Sequence, residues 1–273
     1  MSSNEDSPEP ARKPLNANQL ATLKLVYRFR FVTTDLIARH KNKKRDAVIN
    51  THVRILHEQG YIGRRYESSY KLQGKPASYY LLAKGLAALK QKDKDVIGSS
   101  KVIYNDRNAS EKFIAHSLAV FTVACIFQGL YGDKKKFFAK TELANYDYFP
   151  QPMPDGYLSI KDKSKLWHFF VDIYAEATPM FVHIRKLRRY ISYDESSAWD
   201  VTDSDFPGIL VICDTKALQK RLIARVEAMF EEEAPNLRVL VTTMDSLSSS
   251  TSGDDRIWTD ISTDSISPVP LLS

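Results

Sequence analysis

The chain has 273 residues and a mass of 31.1 kDa, with 43% hydrophobic and 26% charged residues. That is an ordinary globular balance, and it excludes collagen-like, coiled-coil and wholly disordered classes. The net charge of +6 is unevenly spread: residues 12–101 carry 20 Lys/Arg against 6 Asp/Glu, a balance of +14, which leaves −8 for the remainder. A basic front suits a polyanion such as nucleic acid, and an acidic back does not. No apolar run approaches the roughly 18–20 residues of a membrane span. The opening MSSNEDSPEPARKP has no apolar signal core. Cys125 and Cys213 each lie in an apolar stretch, as buried thiols of a reducing compartment do. These features predict a cytoplasmic protein with no membrane partner.

The first fifteen residues mix Ser, Pro and charge without periodicity and read as a disordered arm. From 16 to 30, Leu20, Leu23, Val26 and Tyr27 make one helical stripe, with Asn16 or Asn18 available as cap. FVTTDLIARH reads as a short second helix capped by Thr33 or Thr34. In KNKKRDAVINTHVRILHEQG, Ile49, Val53 and Leu56 recur at spacings of four and three, and Gly60 stands where a left-handed residue ends a helix. YIGRRYE alternates like a strand, SSYKLQGKP has turn chemistry, and ASYYLLAKGLAALK begins as a strand and continues as a helix. Three helices, a hairpin and a helix over residues 16–92 are the layout of a winged helix-turn-helix, a major-groove reader.

With Ile49, Val53 and Leu56 inward, the third helix presents Lys43, Lys44, Arg45, Asn50, Thr51 and Arg54 outward. Arg, Lys and Asn can read guanine and adenine edges. Arg64, Arg65, Lys71 and Lys75 on the hairpin can hold phosphates. The expected partner is double-stranded DNA. The alternative is a solvated charged face on a winged helix that contacts only protein.

Residues 93–108 read as a polar linker, and 109–262 as a second domain. A long amphipathic helix at 110–131, with Phe113, Leu118, Phe121, Cys125 and Ile126 at its core, precedes strands at FFAKTELA, YLSI and LWHFFVDIYAE. A helix, the wholly apolar strand GILVICD, a helix and the strand NLRVLVTTM follow. The order is α-β-β-β-α-β-α-β, and 263–273 read as a free tail.

Within that domain Glu142 falls in the first strand, Pro154-Asp155 just before the second and Asp172 in the third. An acid, a Pro-Asp and a further acid followed two positions later by Lys define the PD-(D/E)xK nuclease pattern. Its carboxylates converge on Mg²⁺, which activates water, while the Lys places water or offsets charge. Asp155 and Asp172 are the candidate metal ligands. The Lys position is Tyr174, so a cation must come from the next helix, where Lys186, Arg185 and Arg188 are the candidates. Glu142, Asp155, Asp172 and Lys186 are therefore the candidate catalytic set. The plainer alternative makes Asp155 a turn residue and Asp172 a solvent-facing strand residue. The expected fold is α+β: a winged helix-turn-helix followed by a PD-(D/E)xK nuclease-like α/β domain.

The stretches QLATLKLVYRFRFVTTDLIA, HSLAV, TEL, PDGYLSI, FFVDIYAEATP and IRKLRRYISY, in that order, resemble the replication-relaxation family over residues 16–260. That resemblance implies a bacterial protein of plasmids and other mobile elements, acting in replication initiation or mobilisation. The family pattern carries Glu-x-Asp before Arg-Gly-Thr where this chain has Asp172 through Thr178, so one acidic position is missing. His40, His52, His57, His116, His168 and His183 never form the His-hydrophobe-His of relaxase enzymes. Two distant cysteines supply no zinc site, and no Gly-rich phosphate loop occurs. His116 and His168 read as packing or surface residues. The expected function is DNA binding in replication, transfer or regulation of a mobile element, with a degenerate nuclease-like domain and Mg²⁺ only if that site is active. The alternatives are a Mg²⁺-dependent endonuclease guided by the winged helix, or an adaptor docking another protein through the back domain. A homodimer is compatible with either.

Overall fold

The computed structural model describes residues 14–43, 47–97, 100–233, 235–263 and 267–273. The expected arm up to residue 13, and Lys44 and Arg45, lie outside the described residues.

The front opens with α1 (Ala17–Phe29), α2 (Thr34–His40) and α3 (Ala47–Glu58). Asn16 caps α1 with a reciprocal Gln19 bond, and Thr33 caps α2. α3 buries Ile49, Val53 and Leu56 as their spacing predicts. Gly60 follows at φ +72°, the left-handed geometry that ends the helix without strain. Next come β1 (Ile62–Arg65), α4 (Ser68–Leu72), β2 (Ser78–Leu81) and α5 (Ala83–Lys90). β1 and β2 pair antiparallel, Ile62 opposite Leu81. The segment expected as a turn thus contains a short helix. Gly85 lets α5 approach β1 closely, since a Cβ there would lie 2.3 Å from the Tyr61 carbonyl oxygen.

The expected linker is not a free connector. It contains α6 (Ser100–Arg107), whose Asp106 is 3% exposed and is gripped by the Arg30 Nε and Nη2 donors. A buried carboxylate needs such a partner, which is why this polar stretch is packed.

The back half runs α7 (Glu111–Tyr131), β3 (Lys135–Ala139), α8 (Lys140–Leu143), β4 (Gly156–Asp162), β5 (Lys165–Tyr174), α9 (Met180–Glu195), β6 (Gly208–Cys213), α10 (Lys216–Glu233), β7 (Val239–Thr243), α11 (Met244–Ser249), β8 (Trp258–Asp260) and β9 (Pro268–Val269). The seven strands lie in chain order in one mixed sheet, with β5, β6 and β7 parallel and the remaining pairs antiparallel. The expected alternation of helices and strands is present. β6 alternates its burial: Ile209, Val211 and Cys213 join the core under α9 and α10, while Leu210 and Ile212 join the core under α7. Both thiols are buried and unpaired.

Three expectations need correction. Glu142 is not on a strand: the chain leaves β3 at Ala139 and turns into α8, where the Glu142 carboxylate accepts from the Ala139 N–H. The tail is not free, because β9 pairs with β8, Leu271 is fully buried and Ser273 accepts from Arg238. The α7 helix is long and apolar enough by length and composition to cross a membrane, and it is not amphipathic. Its apolarity matches burial on two sides, by α2 and by the sheet. One apolar core consequently runs from Leu23 and Ile37 in the front through Phe121 and Val123 to Leu158 and Val171 in the sheet.

Polar ties reinforce that junction. Arg28 donates to Glu142 and to the Phe137 carbonyl, and the Thr141 hydroxyl donates to the Arg28 carbonyl. Asp106→Ala removes two hydrogen bonds from the half-buried Arg30 guanidinium, so it should cost about 1.5–3 kcal/mol. Lys24→Ala, which breaks the exposed Lys24–Asp93 pair, should cost no more than about 1 kcal/mol. Urea unfolding of both variants measures the contrast, and equal costs would refute it.

His40, at the end of α2, packs against Phe121 of α7 at the same junction, with ring centroids 5.7 Å apart. Burial, then Arg28, Lys135 and Lys41, push its imidazole down from 6.5 to about 4. The fold holds it neutral, so its contribution is complete above pH 6.5 and is lost as pH falls toward 4. Unfolding free energy should decline across that window, and His40→Phe should remove its share of the decline. An identical slope in the variant would show that His40 is not responsible.

Candidate functional site

Parallel strands end together, and the loops after them are natural site-builders. Here β5 ends at Tyr174, β6 at Cys213 and β7 at Thr243. A cleft of about 700 Å³ opens beyond them, lined by residues that include His116, Asp155, Tyr174, Lys186, Asp214 and Asp245.

Asp155 stands immediately before β4, and Asp172 lies in β5. The parity of β5 places Phe170, Asp172 and Tyr174 on the face covered by α9, where Phe170 and Tyr174 join one apolar core. Asp172 has no exposed surface, and Asp155 is 9% exposed. The two meet directly. The Asp155 N–H donates to Asp172 Oδ1 at 3.2 Å, and the Ile173 N–H donates to Asp155 Oδ2 at 2.9 Å.

The cation arrives from α9. Lys186 Nζ donates to Asp172 Oδ1 at 2.6 Å, and one turn later the Tyr190 hydroxyl donates to Asp172 Oδ2 at 3.0 Å. From the opposite face, His116 Nε2 on α7 lies 3.0 Å from Asp155 Oδ1. Burial pushes the Asp172 carboxyl up, more than Lys186 pulls it down. Asp155 is also pushed up by burial, but Lys186 and His116 outweigh that and hold it below the usual carboxylate range. Burial alone would lower Lys186, yet the two carboxylates raise it, so it stays a cation.

Tyr174, at the sequence position of the missing Lys, turns away from the pair. Its hydroxyl donates to the His183 carbonyl, and its ring stacks on His183 with centroids 4.2 Å apart. Glu142 does not join the site, being held by Arg28 and the Ala139 N–H. Of the expected four, Asp155, Asp172 and Lys186 converge. Two participants had no sequence signal. His116 reads from sequence as a packing or surface residue, and nothing in the spacing around Tyr190 singles it out.

Mg²⁺ requires near-octahedral oxygen ligands at about 2.0–2.1 Å. Asp172 Oδ1 accepts from two internal donors, each of the other three oxygens of the pair faces one, and Asp214 and Asp245 line the same cleft without a contact to the pair among the described hydrogen bonds. Among the described residues no group of three His, Cys, Asp or Glu side chains is arranged to hold a metal. The residues as arranged do not fit the ion.

The basic face of the front is largely open. Asn50, Thr51, Arg54, Arg64, Lys71 and Lys75 are exposed, as is Lys43 at the end of the α2 turn. Arg54 pairs with Glu58 one turn on, at 3.2 Å, and the Arg64 guanidinium sits over the Tyr66 ring. Arg65 differs from expectation: it donates to Glu111 and to the Arg107 carbonyl, so it ties β1 to α7.

Two solved structures of the restriction endonuclease FokI, one of them described as bound to DNA, are similar to this chain at 12% identity and a TM-score of 0.31. The likeness covers 84% of this chain and 43% and 42% of theirs, so the chain spans less than half the length of those endonuclease chains. No curated protein matches. The family model described as replication-relaxation matches residues 23–209. That match runs from α1 through the carboxylate pair and α9 to the start of β6, and the chain belongs to the replication-relaxation family.

Proposed function

We propose that the protein binds double-stranded DNA in the replication, mobilisation or regulation of a bacterial mobile element, through a winged helix-turn-helix in its front half. In this reading the back half is a PD-(D/E)xK-like domain whose site has become a structural charge cluster. The observation that carries the DNA half is the division of α3: Ile49, Val53 and Leu56 are buried while Asn50, Thr51 and Arg54 face out beside the β1–β2 hairpin. Apolar residues anchor the helix, and base-reading side chains occupy its free side. Arg64, Lys71 and Lys75 on the hairpin supply phosphate contacts, which position without reading sequence.

The full chain should shift plasmid-derived duplexes. For six to ten phosphate contacts, affinity should fall about 10³–10⁵-fold between roughly 50 and 200 mM salt. Arg54→Ala should cost about 1–3 kcal/mol on the preferred site and relax preference there, whereas Lys75→Ala should weaken all sequences alike. The same loss on every sequence for both variants would place α3 outside the groove.

The endonuclease is the competing reading, favoured by one observation: Lys186 supplies from α9 the cation absent at position 174. Against it, Lys186 is committed to neutralising a carboxylate that should hold metal. Phosphodiester cleavage needs positive charge where negative charge develops, and losing one such group costs about two to three orders of magnitude. Supercoiled plasmid incubated with Mg²⁺ or Mn²⁺ should therefore be bound and left intact. Robust nicking by the wild type that disappears in both Asp155→Asn and Asp172→Asn, each checked for folding by circular dichroism, would establish the endonuclease instead.

A further inference from the structure

The face of the back half formed by α9 and α10 carries a second cleft, of about 490 Å³, away from the carboxylate pair. Phe181, Arg185 and Arg188 make one stripe of α9; Arg225, Met229 and Glu232 make the facing stripe of α10. Phe181 is 60% exposed, with the Arg185 guanidinium 5.5 Å from its ring centroid. A large aromatic left in water beside an apolar floor marks a contact surface more than a solvated one.

The charges on this face specify what covers it. Arg225 and Glu232 are seven residues apart on one side of α10, about two turns or roughly 10 Å. Among the described residues no ion pair or hydrogen bond engages either side chain. Nearby, Arg188 pairs with Glu233 and ties the two helices together at the acidic end. The groove therefore has a basic end at Arg185 and Arg225 and an acidic end at Glu232 and Glu233. A duplex or an acidic peptide would be repelled at the acidic end, and a basic peptide at the other. A surface carrying both signs two turns apart is complementary to itself when turned through a two-fold axis, because residue i then meets j and j meets i.

We infer that this face is the homodimer interface of the protein: Arg225 of each copy pairs with Glu232 of the other, and Phe181 of each packs into the opposing α9–α10 groove. The inference is independent of the DNA reading, since neither Arg225 nor Glu232 belongs to the basic face of the front half. A two-fold pair of basic modules would also suit a DNA site with inverted halves.

Sedimentation of the full chain decides it. The wild type should run at twice the 31.1 kDa chain mass at about 0.1 mM, where even a micromolar interface is filled. Arg225→Glu and Glu232→Arg should each be monomeric, because each juxtaposes like charges twice per dimer. An equimolar mixture of those two variants should regain the dimer, since both cross-pairs are then of opposite sign. Phe181→Glu should be monomeric and should not be rescued by either. A monomeric wild type at that concentration overturns the inference, as does a dimer that survives Arg225→Glu and Glu232→Arg. Loss of DNA shift in Arg225→Glu with a monomeric wild type would assign the face to nucleic acid instead. Circular dichroism of each variant, and the rescue itself, separate interface loss from misfolding.

Discussion

Asp172 is a carboxylate with no exposed surface in β5, the third strand of the seven-stranded sheet, and the back half is arranged around keeping it satisfied. An isolated charge in that position would cost several kcal/mol even after relaxation. Its neutralisation requires α9 to lie at one height and one rotation over β5, because Lys186 and Tyr190 are one turn apart and both must reach the same carboxylate. The Asp155 N–H supplies a third donor, which fixes the chain entering β4 against β5. Breaking this cluster would free three elements at once. The same donors set which way each carboxylate oxygen faces, and Asp155 Oδ1 is the one turned toward His116 on α7.

The other organising element is α7. Its two-sided burial makes a single core of what the charge distribution divides into two parts. At its first turn, Glu111 accepts from the Tyr70 hydroxyl and from Arg65, while Ser110 and Lys112 line the cleft and His116 reaches Asp155. The hairpin that would follow a DNA backbone and the cleft beside the carboxylate pair are thus separated by less than two turns of helix. Glu111 is held below the usual carboxylate range, with the Tyr70 hydrogen bond as the largest cause. It acts as the anionic clasp between the hairpin and the long helix.

Much of this was legible from residue spacing. Ile49, Val53 and Leu56 specified the buried side of α3, Gly60 its end, and the unbroken apolar run at 209–213 a strand covered on both faces. Pro154-Asp155 and Asp172 were identifiable because a carboxylate in an otherwise apolar strand demands a reason. What could not be read was anything decided by contact across elements. Glu142 lies in a strand-like run, but the capping of the Ala139 N–H and the pull of Arg28 from α1 make that segment a helix. Asp106 looked like linker polarity because its partner Arg30 is 76 residues away. Leu271 looked like a free end because the surface it fills exists only once β8 is in place.

Position 174 shows why a cation two residues after Asp172 and a cation on the next helix are not equivalent. Side chains two apart on a strand share a face, so a Lys at 174 would stand beside the carboxylate and project toward the strand end, where the cleft opens. Lys186 comes from above, its stem buried in the α9 packing and its ammonium directed at Asp172. The first arrangement leaves charge free to meet a developing oxyanion; the second consumes it in the ground state. Tyr174 completes the change, because its ring needs the stacked His183 and its hydroxyl needs the His183 carbonyl, and both hold the start of α9 against the end of β5. Tyr174 thereby fixes the helix that carries Lys186 to Asp172, so the residue at position 174 and the cation on α9 are set by one packing arrangement.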